Sequence, residues 1–413
     1  MDAVSDRRFQ FTYNRDVRRR TLETRIVGLH ERSGSLWAAL EDTVFYPEGG
    51  GQPGDRGHLL AVLAGREESF AVIDARYRDN YVEHEIAAQD EERARALLKP
   101  DLSVVAEIDW ERRFELMQQH SAEHLISGLV GQLHGWNNVG FHINEELMTL
   151  DFDGPLEADE IVDIEQRVQA AIYAERPVRI LYHENDKDIP PYRAKIDIPG
   201  TLRIVEVPGI DRCACSGTHV GSTGEIGGLL ITDAVRYKGG VRLTAIAGWR
   251  AARLSRAQLE RERGLGALLS TPPGELVRAV AALLEKRDEL IAEGNRLRQA
   301  LTDEAIRHLP ADGHELIWLE LPQLDAVSLA RAAENIAARG GRIGVATTEL
   351  GEHRLLAARS AAADDGRELA ELAAAMKREL GFRGGGRDGF LQGRLSAPRE
   401  AVEHFFAVWD AER

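Results

Sequence analysis

The 413-residue chain is acidic, with 52 Lys and Arg against 68 Asp and Glu and a formal net charge of −16. That balance argues against broad, nonspecific nucleic-acid binding and confines any such contact to local basic patches. At 43% hydrophobic residues the chain can bury more than one core, and no stretch approaches the roughly 18 uninterrupted apolar residues of a membrane span.

The start, MDAVSDRRFQFTYNRDVRRR, lacks the apolar segment of a signal peptide, so a soluble cytoplasmic protein is expected. Residues 1–105 read as strands and turns. Apolar residues alternate in TRIVGLHE, SLWAALED and FAVIDARY, and the run FYPEGGGQPGDRG breaks them, which predicts a β-barrel domain. That run places five glycines in thirteen positions. It suits close backbone approach to a ligand at Gly50 and Gly51 or a tight connection between strands, and it matches no phosphate-binding fingerprint. Glu48, Gln52 and Asp55 within it read as structural.

From Asp109 the pattern becomes helical, with Phe114, Met117, Leu125 and Leu129 at three- and four-residue steps. A strand (LMTLDFD), a helix over residues 157–174, strands VRILYH and LRIVEV and a closing meander complete an α+β domain over residues 106–250. Residues 251–307 turn Ala-, Leu-, Arg- and Glu-rich around STPPG. Leu276, Leu283, Leu290 and Leu297 fall seven apart, so two helices packed as an antiparallel hairpin are expected as a linker, although Arg287 and Gly294 break the second apolar register. Strands and helices then alternate, including a helix over residues 327–339 and a loop FRGGGRDGFLQG, in a small C-terminal α/β domain over residues 308–413. The fold class is thus α+β. Basic runs at Arg15 to Arg20, at Arg236, Lys238 and Arg242, and over residues 377–394 read, each alone, as solvated faces.

Four residues carry chemistry. His120 and His124 in QQHSAEHL lie one helical turn apart on one face, and Cys215 and His219 in CACSGTHV add a thiolate and a third imidazole, a donor set that suits one Zn²⁺ per chain. Gly217 permits the tight turn that brings Cys215 and His219 to one point. Cys213, one residue from Cys215, is too close for an unstrained disulfide and reads as a buried thiol beside the site. Four protein ligands close a structural zinc site, whereas a catalytic one keeps a position for water; the spacing is compatible with both.

HSAEHL and CSGTH, preceded by TVFYPEGGGQ and followed by TGEIGGLLI and KGGVRLTAIAG, resemble the editing domain of alanyl-tRNA synthetase and its free-standing relatives, the AlaX-type editing proteins. FRGGGRDGFLQG is similar to the C-terminal domain of the synthetase. With the barrel first, the long form of the AlaX-type proteins is the nearest in organisation. The resemblance implies an editing domain at residues 106–250 that hydrolyses the aminoacyl ester of tRNA(Ala) mischarged chiefly with serine, with His120, His124, Cys215 and His219 as zinc ligands. It also implies a polar residue that contacts the serine hydroxyl, aligned with Asn138 or, one step over, Asn137. Gln119 and His142 are candidates to position water, and no general base is assigned. Arg383, Arg387 and Arg394 flank the last glycine run and are candidate tRNA contacts. The heptad helix and the C-terminal domain are candidate surfaces for a homodimer. The alternative is a noncatalytic tRNA-binding protein whose zinc only holds the fold.

Overall fold

The structure is a computed structural model that describes residues 6–183, 189–194, 201–308, 317–318, 345–349, 352–358, 367–387 and 390–411. The chain divides into two compact units, Met1–Glu262 and Arg263–Arg413. Among the described residues no helix is long and apolar enough to cross a membrane.

In the first unit, after a single turn α1 (Thr12–Arg15), six strands alternate apolar and polar residues: β1 (Thr21–Arg32), β2 (Ser35–Leu40), β3 (Gly57–Leu63), β4 (Arg66–Arg78), β5 (Tyr81–Ile86) and β6 (Ser103–Ile108). They close into a barrel in the order β1-β2-β5-β4-β3-β6. In β6 the alternation buries Val104, Ala106 and Ile108 against Phe45, Leu59 and Phe70. A fully buried ring or leucine of this kind contributes about 1.5–3 kcal/mol. Asp79 and Asn80 at φ +50° and +65° form the two-residue turn that joins β4 to β5, a conformation short polar side chains tolerate. Two details correct the expectation for residues 1–105. A helix α2 (Ala88–Leu97) interrupts the strands, hidden in the sequence because it buries only Ala94, and β6 runs to Ile108.

Helix α3 (Trp110–His134) follows at once. The Asp109 side chain caps its start by accepting from Arg112 N at 3.1 Å, and Gly135 ends it at φ +76°, the left-handed position glycine fills without strain. Its buried run from Leu116 to Val130 is the axis of the second core, packed by α4 (Ala158–Tyr173) and a four-stranded sheet. That sheet runs β12 (Leu229–Tyr237), β13 (Gly240–Ala247), β8 (Met148–Phe152), β7 (Asn138–Ile143). A three-stranded sheet, β11 (Asp211–Ala214), β10 (Leu202–Val207), β9 (Arg179–His183), completes this half.

Barrel and helix are clamped together. Arg113, fully buried on α3, donates to both Asp55 carboxylate oxygens and to Val44 O, while Asp55 accepts from Tyr46 N at 2.6 Å. Arg112 donates to Gly54 O at 2.8 Å. Ile143 N of β7 donates to Gly51 O at 2.9 Å, which seats the barrel's glycine run on the edge of the four-stranded sheet.

α5 (Gly248–Leu269) runs across the boundary between the units, and a one-turn helix (Pro273–Glu275) precedes α6 (Leu276–Arg307). Leu283, Leu290 and Leu297 of α6 are each more than half exposed, so the seven-residue stripe faces outward. In the rest of the second unit, β14 (Ile317–Trp318), β15 (Val345–Glu349), β16 (Glu352–Ala358), β17 (Arg383–Arg387) and β18 (Phe390–Leu395) form a sheet in the order β14-β15-β16-β18-β17. Helices α7 (Arg367–Glu379) and α8 (Arg399–Ala411) pack Leu372, Met376, Val402 and Phe406 into its core. The expected FRGGGRDGFLQG loop is a correction: Arg383–Arg387 is an edge strand paired antiparallel to β18. The helix expected over residues 327–339 lies outside the described residues.

Candidate metal centre

Helix α3 presents His120 and His124 one turn apart, and the loop after β11 returns Cys215 and His219 to the same place. The four ligand atoms lie within 4.8 Å of one another, with Cys215 Sγ 3.4 Å from Nε2 of both His120 and His219. Gly217 makes the approach possible, since a Cβ there would collide with the His120 ring.

Hydrogen bonds behind the rings determine which nitrogen faces inward. His120 Nδ1 lies 2.8 Å from Gln52 Oε1, and His124 Nδ1 lies 2.8 Å from Asp211 Oδ2. Both oxygens only accept, so both rings carry Nδ1–H and turn the Nε2 lone pair toward the centre. His219 Nδ1 bonds Ser121 Oγ at 3.1 Å, leaving its Nε2 to Cys215. Each partner is itself held. Gln52 donates to Thr218 Oγ1 at 2.8 Å and accepts from Thr218 N at 3.2 Å, and Asp211 receives a two-pronged contact from Arg193 at 2.7 and 2.8 Å.

The electrostatics suit a cation. Burial alone would raise the Cys215 thiol, but His120 and His219 outweigh it and hold the thiol well below its ordinary range. Gly217 N–H also donates to the sulfur at 3.3 Å. Burial lowers His219 to about 3, leaving it a neutral ligand. At His124 burial is overcome by Glu123, Asp211 and Cys215, so the ring holds a proton well above its usual range; a proton and a metal ion compete for the same lone pair. Three imidazoles and one thiolate, oriented by outer hydrogen bonds, fit a divalent borderline-soft ion such as Zn²⁺. Cys213 stays a neutral thiol, pushed up by burial to about 11, beside His124 and Asp211.

The other expected residues are placed differently. Gly50 and Gly51, at φ +59° and +83°, stand at the rim of the centre: Gly51 presses on Phe141, whose ring is 5.1 Å from that of His120. Asn138 is buried and donates to Glu123 Oε1 at 2.7 Å and Ser127 Oγ at 2.9 Å, while its Oδ1 accepts from Gly140 N. Its donors are therefore committed inside the protein. Asn137 is exposed and bonds Asp153. Gln119 is committed at both ends of its amide to the Ala247 backbone. His142 is exposed and alternates along β7 with Phe141, which faces the histidines. In the second unit Arg383 and Arg394 are exposed and opposite each other across β17 and β18; the Arg387 side chain lies outside the described residues.

Sequence reasoning missed the roles of four residues. Gln52, Asp211 and Ser121 orient the three histidines, and Glu123, 4% exposed, brings its Oε2 within 3.7 Å of His124 Nε2. A carboxylate beside the second histidine of HSAEH was the available signal. The basic run near the start is partly spent: Arg15 pairs with Asp42 and Arg18 with Glu225. Arg242 likewise pairs with Asp151. A cavity of about 500 Å³ lined by Gly128, Trp136, Asn137, Arg193 and Asp211 lies behind the Asp211 contact, and none of the four ligand residues lines it.

Residues 202–247 match the family described as threonyl and alanyl tRNA synthetase second additional domain. The chain is 28% identical over 391 residues to the alanine–tRNA ligase of Ignicoccus hospitalis, covering 91% of this chain and 40% of that protein. It is 30% identical over 220 residues to the alanyl-tRNA editing protein AlaX-L of Pyrococcus horikoshii, 52% of each chain. It is also 28% identical over 296 residues to the alanyl-tRNA editing protein Aarsd1 of Mus musculus, 69% of this chain and 68% of that one. The chain spans less than half the length of the alanine–tRNA ligases it matches. It is similar to the alanyl-tRNA editing proteins and to the alanine–tRNA ligases, and residues 202–247 match the second additional domain.

Proposed function

We propose that this relative of the alanyl-tRNA editing proteins is a zinc-dependent hydrolase that removes wrongly attached amino acid, chiefly serine, from tRNA(Ala) in the cytoplasm. The observation that carries this reading is the outer hydrogen-bond set, Gln52 on His120, Asp211 on His124 and Ser121 on His219, which turns three Nε2 atoms toward one thiolate. The names of the similar proteins supply the substrate class. One Zn²⁺ held by His120, His124, Cys215 and His219 would supply positive charge against an ester carbonyl or an adjacent water.

The protein's own residues do the remainder. Gly50 and Gly51 leave room at the rim for the ribose ester, because no side chain projects from them. Glu123, fixed by Asn138 and Ser127 on one oxygen, keeps its other oxygen beside the ligand atoms, where it can accept from a serine hydroxyl. Alanine would leave that carboxylate unpaired. A pocket built for a methyl group rejects an added hydroxyl by only about a hundredfold, so a second site that hydrogen-bonds the hydroxyl is chemically warranted. The ester is already activated, and holding water and carbonyl in place suffices without a dedicated base. In this reading residues 308–413 contact tRNA through Arg383, Arg387 and Arg394, and the exposed Leu283, Leu290 and Leu297 stripe supports pairing of two copies.

The test is deacylation of Ser-tRNA(Ala) and Ala-tRNA(Ala) with metal content measured in parallel. Serine should be released rapidly and alanine slowly, and His120→Ala should lose both zinc and serine release. A closed set of four protein ligands favours a second reading, a structural zinc in a noncatalytic tRNA-binding protein. That reading predicts bound zinc, bound tRNA and no release of either amino acid.

A further inference from the structure

We infer that Arg203 forms, with the rim of the metal centre, a binding site for the last phosphodiester of an RNA 3′ end; the inference rests on the proposed function for the identity of the anion. Three arginines are buried among the described residues: Arg113, Arg203 and Arg250. Arg113 sits on Asp55 and Arg250 on Glu115. Arg203, 5% exposed on β10, has no carboxylate partner among the described residues. Its one hydrogen bond there runs from Nη1 to Cys215 O at 2.6 Å, and its Nε has no hydrogen-bond partner. The side of the guanidinium formed by Nε and Nη2 is the fork that grips two oxygens of a phosphate. A buried cation without a counter-charge is costly to keep, so an anion is the missing partner its chemistry calls for.

The surroundings specify where that anion would come from. Arg203 holds the carbonyl of Cys215, whose sulfur belongs to the metal centre, so the guanidinium lies about one residue from the place assigned to the ester. In an aminoacylated RNA the nearest phosphate lies across one ribose from that ester. Ser216, next in the chain, is exposed and faces the exposed Gly50, and Tyr46 under this rim donates to Gly49 O at 2.9 Å. Gly50 and Ser216 thus form an exposed polar pair, and Ser216 is next in the chain to Cys215, whose carbonyl Arg203 holds. A zinc with three neutral imidazoles and one thiolate leaves a charge of about +1, to which Arg203 adds another.

The experiment is a double-mutant cycle on binding. An uncharged acceptor-stem minihelix ending in CCA is compared with one whose last phosphodiester is a neutral methylphosphonate, and with one neutralised three linkages further in as control. The wild-type protein should lose about tenfold or more in affinity on neutralising the last linkage and little on the control. Arg203→Gln should bind the natural minihelix as weakly as the wild type binds the neutral one, and should be insensitive to neutralisation. Arg203→Lys, which keeps charge without the fork, should recover part of the difference. Equal wild-type affinity for the natural and neutral minihelices overturns the site without any variant having to fold. A full loss on neutralisation retained in Arg203→Gln overturns the assignment to Arg203. If the cycle behaves as expected while Ser-tRNA(Ala) is not hydrolysed, the phosphate site stands and the proposed function fails.

Discussion

Residues 49–51 and 384–386 are the same glycine triplet in two conformations. In the barrel, Gly50 and Gly51 take φ +59° and +83°, and Gly51 hooks its carbonyl onto Ile143 N. In the C-terminal sheet the triplet runs as edge strand β17, paired residue for residue with β18, and the Phe382 ring lies against Gly384 and Gly393 where side chains would stand. The difference lies in the flanks. Asp55 and Gln52 follow the first triplet and are gripped by Arg113 and Thr218, which bends the backbone around fixed points. The second lies between Phe382 and the partner strand, and an aromatic ring covers its bare backbone. Glycine permits either shape; the neighbouring side chains choose.

Removing the anchor of the first triplet should have the largest effect. Asp55→Ala leaves Arg113 buried and unpaired and should cost about 3–5 kcal/mol in denaturant unfolding; a loss under 1 kcal/mol would show that the loop is held by something else. Gly51→Ala forces a side chain into a left-handed backbone against Phe141, and about 2–3 kcal/mol of stability should go. Gln52→Ala releases the His120 ring while the fold stays intact, and metal affinity should fall by at least about tenfold in a chelator titration. Run at several pH values, that titration should give tighter binding as pH rises through neutrality, since His124 holds a proton well above its usual range and the metal must displace it. Smallest of all should be Gly385→Ala in the other triplet. No heavy atom lies within 4 Å of a Cβ built there, so thermal unfolding should register a change within about 0.5 kcal/mol. A large loss at Gly385 would erase the contrast between the two triplets.

Much of this was legible in the residues. The 3.6-residue period of α3 and α4 and the alternation of the barrel strands were in plain view, as were the four ligand residues, whose spacings are local. What stayed hidden depends on contacts between distant segments. Strand β11 is four residues long and exists because β10 pairs with it. β7 was obscured by the irregularity between Asn138 and Gly140. The family resemblance could suggest Asn138 as a polar group near the histidines but not that Glu123 and Ser127 would claim its donors. Gln52 acquires its place only when the barrel is docked on α3, and the glycines of β17 look like a loop until the Phe382 ring is placed over them.

The metal centre is assembled from segments far apart in the chain: His120 and Cys215 are separated by 95 residues, and Gln52 and Thr218 by 166. On the ribosome, at about 5–20 residues per second, the histidine pair emerges roughly 5–20 s before the thiolate that completes it. The barrel can close while the nascent chain still lacks half of the four candidate ligands, so an ion bound there would be acquired late in biogenesis, and its scarcity would strike newly made molecules before finished ones.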